Sequence, residues 1–245
     1  MVNNPTYFAL LDACQQPGCP VCRISLNTVV RYLDNLFYEN VNDWGMRRHL
    51  RGSLGFCREH AWQVIEGGLG NGLGVAIIYH DVLNKVLERL PDPEREQTKL
   101  ERLSDFLGRL PRQLLDRINL ILENLTPEQP CPACQHLEQT ETRTVQVLLE
   151  NLEDERLRES FKNSQGLCLP HLRVALKQAR DEAGLEMLLA LQNDKLNGLK
   201  QDLAEYIRKN DYRFAGEGFG SEGDSWRRAI ARFVGEKNIK PPENG

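Results

Sequence analysis

Cys19-Pro20-Val21-Cys22, followed after 34 intervening residues by Cys57-Arg58-Glu59-His60, is the stretch on which the reading of this chain turns. The pattern recurs as Cys131-Pro132-Ala133-Cys134 and, after 33 residues, Cys168-Leu169-Pro170-His171. Each copy supplies three thiols and one imidazole, the closed four-ligand set of a structural zinc site. A shift of 111 places Asn151, Asp154, Arg158, Ser164, Gly166, Cys168 and His171 on Asn40, Asp43, Arg47, Ser53, Gly55, Cys57 and His60. The Cys-Pro-x-Cys pairs lie at a shift of 112, so one residue separates the two registers. The chain is read as a duplicated metal-binding module.

The expectation is that each copy closes its own site. Cys19, Cys22, Cys57 and His60 would hold one zinc ion, and Cys131, Cys134, Cys168 and His171 a second. The proline inside each pair restricts the backbone between the ligands and suits a helix start, where its missing N–H is not needed. Cys57 and His60, like Cys168 and His171, stand one turn apart on one helix face. A catalytic zinc keeps one position for water, whereas all four positions are filled here, so the sites are read as structural and no catalytic residue is assigned. By analogy with zinc-finger peptides each ion contributes on the order of 10 kcal/mol to the folded state. An iron-sulfur cluster on the same ligands stays open as an alternative. Thioredoxin-like redox chemistry needs a strand-helix setting that the sequence lacks.

The surrounding sequence is helical. Apolar residues recur at spacings of three and four almost throughout, and no alternating pattern marks a strand. The fold class is therefore all-α, with two zinc-tied helical modules around a shared leucine-rich core. Its linear plan is a first Cys3His module over 1–70, connecting helices over 71–127, a second module over 128–183, and a long helix, glycine-rich loop and closing helix over 184–245. The stripe Val75, Ile78, Tyr79, Val82, Leu83, Val86, Leu87, Leu90 predicts a buried-face helix, and Leu100, Leu103, Leu107, Leu110, Leu114, Ile121 and Leu125 continue the spacing. Asp224 or Ser225 would cap a last helix through Trp226, Ile230 and Phe233.

Composition narrows the function. A net charge of −4 argues against general affinity for nucleic-acid phosphates. No apolar run is long enough to span a membrane, and Met1-Val2-Asn3-Asn4-Pro5 does not open a secretory signal. Seven cysteines, six of them in the motifs, suit metal ligation in a reducing cytoplasm better than a disulfide framework. Cys14 and His136 lie near the motifs but lack counterparts in the other copy. Cys14 is read as a packed helix residue, and His136, which could compete with His171, is set aside because its counterpart is Ile24. Arg47, recurring as Arg158, is read as a group beside the thiolates. The glycines from Gly67 to Gly74 and from Gly216 to Gly223 match no nucleotide fingerprint and are read as loops.

The doubled motif, the Asn-Asp pairs before its second half, and the closing Asp211-Tyr212-Arg213-Phe214 with Ser225-Trp226 resemble a bacterial family of unknown function. The resemblance implies the metal sites and a bacterial cytoplasmic setting, and no activity. The leading function is a zinc-stabilised binding or adaptor protein for a protein or small-ligand partner. A metal- or redox-sensing regulator and an iron-sulfur electron carrier are the alternatives.

Overall fold

The computed structural model describes residues 4–91, 110–214 and 216–237. Among them every regular element is helical and no strand occurs, so the fold is all-α. The helices are α1 (Pro5–Cys14), α2 (Pro20–Tyr38), α3 (Trp44–Gly52), α4 (Arg58–Glu66), α5 (Gly72–Arg89), α6 (Leu110–Asn124), α7 (Pro132–Glu150), α8 (Glu155–Asn163), α9 (Leu169–Gln178), α10 (Glu182–Lys209) and α11 (Ser225–Val234). A 3₁₀ turn spans Tyr212–Phe214. None of the helices is long and apolar enough to cross a membrane.

The two motif-bearing stretches run through the same succession. A 19-residue helix is followed by a nine-residue one in each, α2 and α3 in the first, α7 and α8 in the second. Asp43 and Asp154 cap the short helices, accepting from the N–H of Met46 at 2.6 Å and of Leu157 at 2.9 Å. The following long helices match as well. Asn71 accepts from Gly74 N–H at the start of α5, and Asp181 from Gly184 N–H at the start of α10, both at 2.7 Å.

Contacts divide the chain into two compact units. One takes the residues up to Arg31 and those from His136 onward, and the other is Tyr32–Gln135. The division falls inside α2 and inside α7, so each unit draws on both motif copies. The first unit buries Leu10, Val145, Leu148, Leu157, Phe161 and Leu188 in one core, with α1 laid against α8. The polar run Glu138–Thr144 delays the apolar face of α7 until Val145, as the sequence implies. The second unit buries Leu33, Leu36, Phe37, Leu50, Phe56 and Ile78, and the Phe37 and Phe56 rings meet at 5.6 Å between centroids.

Two apolar stripes face differently from expectation. On α5 only Gly74, Ile78 and Val82 are buried, while Leu83, Leu87 and Leu90 are exposed. Helix α3 covers α5, but nine residues span about 14 Å and eighteen about 27 Å, so half of the stripe has no cover from it. On α11 the buried residues are Ser225 and Arg232, and Trp226, Ile230 and Phe233 point outward. The positions Leu100, Leu103 and Leu107 lie outside the described residues.

The two capping aspartates differ in one contact. Asp154 also accepts a hydrogen bond from the Tyr7 hydroxyl at 2.7 Å, which ties α1 to the start of α8. That bond, with the Leu157 N–H, holds the Asp154 carboxyl below its usual range. Asp154→Ala therefore removes a cap and strands a buried phenol, whereas Asp43→Ala removes a cap alone. In urea titrations at pH 7 we expect Asp154→Ala to cost about 1–2 kcal/mol and to exceed Asp43→Ala. A depressed carboxylate stabilises above its unfolded pKa and loses that contribution as the pH falls through the folded value. The gap between wild type and Asp154→Ala should shrink below about pH 4. Equal losses for the two variants at pH 7 would contradict this account.

Candidate metal centres

The eight sequence-predicted ligands form two clusters, but the partners are exchanged between copies. Cys19 and Cys22 stand with Cys168 and His171, and Cys57 and His60 stand with Cys131 and Cys134. Within each cluster the four ligand atoms lie within 4.8 Å of one another. The expectation that each copy closes its own site is thus corrected. The reason is the length of the first helix in each copy. Nineteen residues carry the chain about 28 Å from the Cys-Pro-x-Cys start. The chain then does not double back: Phe56, next to Cys57, packs on Phe37 near the far end of α2. Cys57 comes to lie beside the other copy's pair.

Local structure aims each ligand. Pro20 and Pro132 are the first residues of α2 and α7, and the carbonyls of Cys19 and Cys131 accept the first helical bonds from Arg23 and Gln135. Cys57 and Cys168 are the N-caps of α4 and α9, with no side-chain cap bond, so their sulfurs are free to turn toward the cluster. Gly55 and Gly166, at φ +92° and +75°, make the turn into those caps. Only glycine takes that left-handed backbone without strain, which accounts for its place two residues before each cysteine. Ser53 Oγ donates to Gly55 O at 2.8 Å, and Ser164 Oγ accepts from Gly166 N–H at 3.0 Å, fixing both turns. All four helix starts point positive dipole ends at the thiols, which favours thiolates there.

The separations fit a single tetrahedral ion. In the first centre His171 Nδ1 lies 3.1 Å from Cys168, 3.3 Å from Cys22 and 3.5 Å from Cys19, and the Cys22 and Cys168 sulfurs are 3.7 Å apart. In the second, His60 Nδ1 lies 3.2 Å from Cys57, 3.4 Å from Cys134 and 3.7 Å from Cys131, with Cys57 and Cys134 at 3.6 Å. Metal–sulfur bonds of about 2.3 Å and metal–nitrogen bonds of about 2.0 Å give tetrahedral edges of about 3.5–3.8 Å. These eight separations stand at or near those edges, and all four ligand atoms of each centre lie within 4.8 Å of one another. Without a cation the thiols oppose one another's ionisation. The Cys22 thiol is pushed up by its bonds to Cys168 and Cys19, and Cys134 to about 12 by burial and the Cys131 charge. A divalent ion removes that opposition. Burial also lowers His60, keeping its ring in the neutral form that ligates.

The first centre has supports that sequence reasoning missed. Glu141 Oε1 sits 3.1 Å from His171 Nε2, orienting the ring so that Nδ1 faces the sulfurs. Gln192 braces Leu167 on both sides, accepting from its N–H at 3.0 Å and donating to its carbonyl at 2.8 Å. The buried Arg232 guanidinium donates to the carbonyls of Leu167 and Gln165. The N–H of Glu236 reaches Cys22 Sγ at 3.4 Å. No pattern in the sequence marks these groups, because Glu141 falls on Val29 at the shift of 112 and α11 has no motif. Arg47 and Arg158 are not beside the thiolates. Arg47 pairs with Asp81 at 3.2 Å, and Arg158 donates to the Glu153 carbonyl. Cys14 stays outside both clusters, and burial pushes its thiol up to about 11, so it is a packed, unreactive residue. His136 is also outside both.

The exchanged grouping has a direct test. Cys22→Ser and His171→Ala remove ligands of one centre although they come from different copies. Their double variant should lose one metal ion per chain, measured by elemental analysis, and so should Cys57→Ser with Cys134→Ser. Cys22→Ser with Cys57→Ser should lose both. If that last pair loses only one ion, the sites close within copies.

A family model described as a family of unknown function (DUF6062) matches residues 6–240. The chain is 23% identical over 209 residues to an uncharacterised 23.9 kDa protein in the xynA 3′ region of Caldicellulosiruptor sp. (strain Rt8B.4). That match covers 83% of this chain and 88% of the relative. No solved structure matches. With the family model spanning nearly its whole length, the chain belongs to the DUF6062 family.

Proposed function

We propose that this is a zinc-stabilised helical binding protein of the bacterial cytoplasm, descended from a duplicated module, with one zinc ion in each Cys3His centre. The observation that carries the reading is the tetrahedral-edge spacing of four protein ligands in both clusters. A polynuclear iron-sulfur cluster spreads its ligands over several metal atoms, and ligand atoms all within 4.8 Å suit a single ion better. Matching helix lengths and caps in the two stretches support the duplication. The free state of all seven cysteines supports a reducing compartment.

Closed ligand sets leave no coordination position for a substrate, so the metals act on shape. Binding then falls to the outer surfaces. Trp226, Ile230 and Phe233 are 43%, 59% and 65% exposed on one face of α11, and an aromatic-rich apolar face of that kind suits a protein partner. The regulator reading has one observation in its favour, the partial exposure of Cys57 and Cys134.

Protein purified under reducing conditions should carry two zinc ions per chain and show no visible charge-transfer absorption. Stripping the ions with a chelator should lower the melting temperature by at least about 10 °C, since each ion contributes several kcal/mol. A brown protein, or unchanged melting after full removal, would overturn the structural-zinc reading. For the binding role, a chain with Trp226, Ile230 and Phe233 all changed to Ser should fold as wild type and lose partners that co-purify with the unaltered chain. Partners retained by that variant would place binding elsewhere.

A further inference from the structure

The two centres share one ligand geometry and differ in cover. One sulfur pair in each is matched, Cys22 with Cys168 at 3.7 Å and Cys57 with Cys134 at 3.6 Å, each joining a Cys-Pro-x-Cys pair to a returning helix. In the first centre Cys19, Cys22, Cys168 and His171 are 1–4% exposed. The end of α11 closes it. Arg232 anchors that end to the Gln165 and Leu167 carbonyls, and the Glu236 N–H points at Cys22. Gly235 passes so near that a Cβ there would stand 3.5 Å from Cys22 Sγ and 3.9 Å from Cys168 Sγ. In the second centre His60 and Cys131 are buried, but Cys57 and Cys134 both reach solvent. The two exposed sulfurs are the pair that stands 3.6 Å apart.

We infer that the second centre is a peroxide-sensitive modification site, at which Cys57 and Cys134 form a disulfide and release the metal, while the first centre is held shut. The inference rests on the metal reading above and adds which centre reacts and through which sulfurs. A peroxide oxygen is attacked by one exposed thiolate, giving a sulfenic acid and, from the other oxygen, hydroxide. The second thiolate then attacks that sulfur, the S–O bond breaks and hydroxide leaves. Two protons from solvent convert the two hydroxides to two waters. Two thiolates have lost two electrons, the peroxide has gained them, and the ion keeps only Cys131 and His60. Two ligands do not hold zinc against water. Cover and the groups that hold it shut distinguish the centres, because the matched sulfur pairs stand 3.7 and 3.6 Å apart.

The test uses the full chain, reduced and loaded with zinc. One equivalent of hydrogen peroxide is added with a chromophoric chelator, and disulfides are mapped by mass spectrometry. The expected result is release of one zinc per chain at least about tenfold faster than the other, a first disulfide between Cys57 and Cys134, and recovery with dithiothreitol and added zinc. Equal release of both ions, or a first disulfide at Cys22–Cys168 or Cys131–Cys134, would overturn the inference. If the reduced chain takes up no zinc, the metal reading fails and the release half of the inference with it, and the same mapping still decides the thiol half: a first disulfide at Cys57–Cys134 upholds it, and any other first pair ends it.

Discussion

Four ligand atoms gathered as the corners of one small cluster, twice, are the constraint on which this chain is arranged. Each set takes a Cys-Pro-x-Cys pair from one stretch and a Cys-x-x-His pair from the other. The ligands of the first centre stand some 145 residues apart, from Cys22 to Cys168, and those of the second about 70, from His60 to Cys131. Pairing within a copy would span about 35. Loop-closure cost rises by only about 0.6 kcal/mol per doubling, so the exchange adds roughly 1.3 kcal/mol at the first centre and half that at the second. Against a metal contribution on the order of 10 kcal/mol, this difference does not decide the pairing. Helix length decides it, because α2 and α7 carry each chain end away from its own cysteine pair.

That balance explains what was legible in the sequence and what was not. The eight ligands, the all-helical class, the capping roles of Asp43 and Asp154 and the glycine turns are local, fixed by spacing and residue chemistry within a few positions. The pairing is not local. A shift of 111 shows that Cys57 and Cys168 are equivalent, and equivalence is silent on which equivalent pair meets which. The one clue available was the length of the Leu26–Phe37 stripe, which implies a helix too long for its two ends to share a site.

Helix faces were legible as stripes but not as buried faces. Periodicity on α5 and α11 identifies both helices correctly, yet a stripe says only that one side is apolar. On α5, Ile78 and Val82 lie inward while Leu83 and Leu87 do not. On α11 the inward member is Arg232, a residue that sequence reasoning assigns to the surface. Its burial makes sense beside a thiolate centre. A divalent ion with three thiolates and a neutral imidazole carries one net negative charge, and the guanidinium near Cys19 and Cys168 opposes it. Burial makes Arg232 easier to deprotonate than usual, and the two sulfurs act in the other direction.

The supports beside the thiolates therefore set the two centres apart more than the ligands do. Glu141, Gln192, Arg232 and the Glu236 N–H all serve the first centre. The second has the Tyr79 phenol on the Phe56 backbone and the half-buried Tyr32 near Cys131. A phenol can brace a loop or a sulfur, but it brings no positive charge. Identical ligand sets can thus sit in a shell that compensates the thiolates and in one that leaves two of them facing water. The two ligand sets are alike in residue type and spacing. Residues outside the repeated motif, on α7, α10 and α11, are what make them unequal.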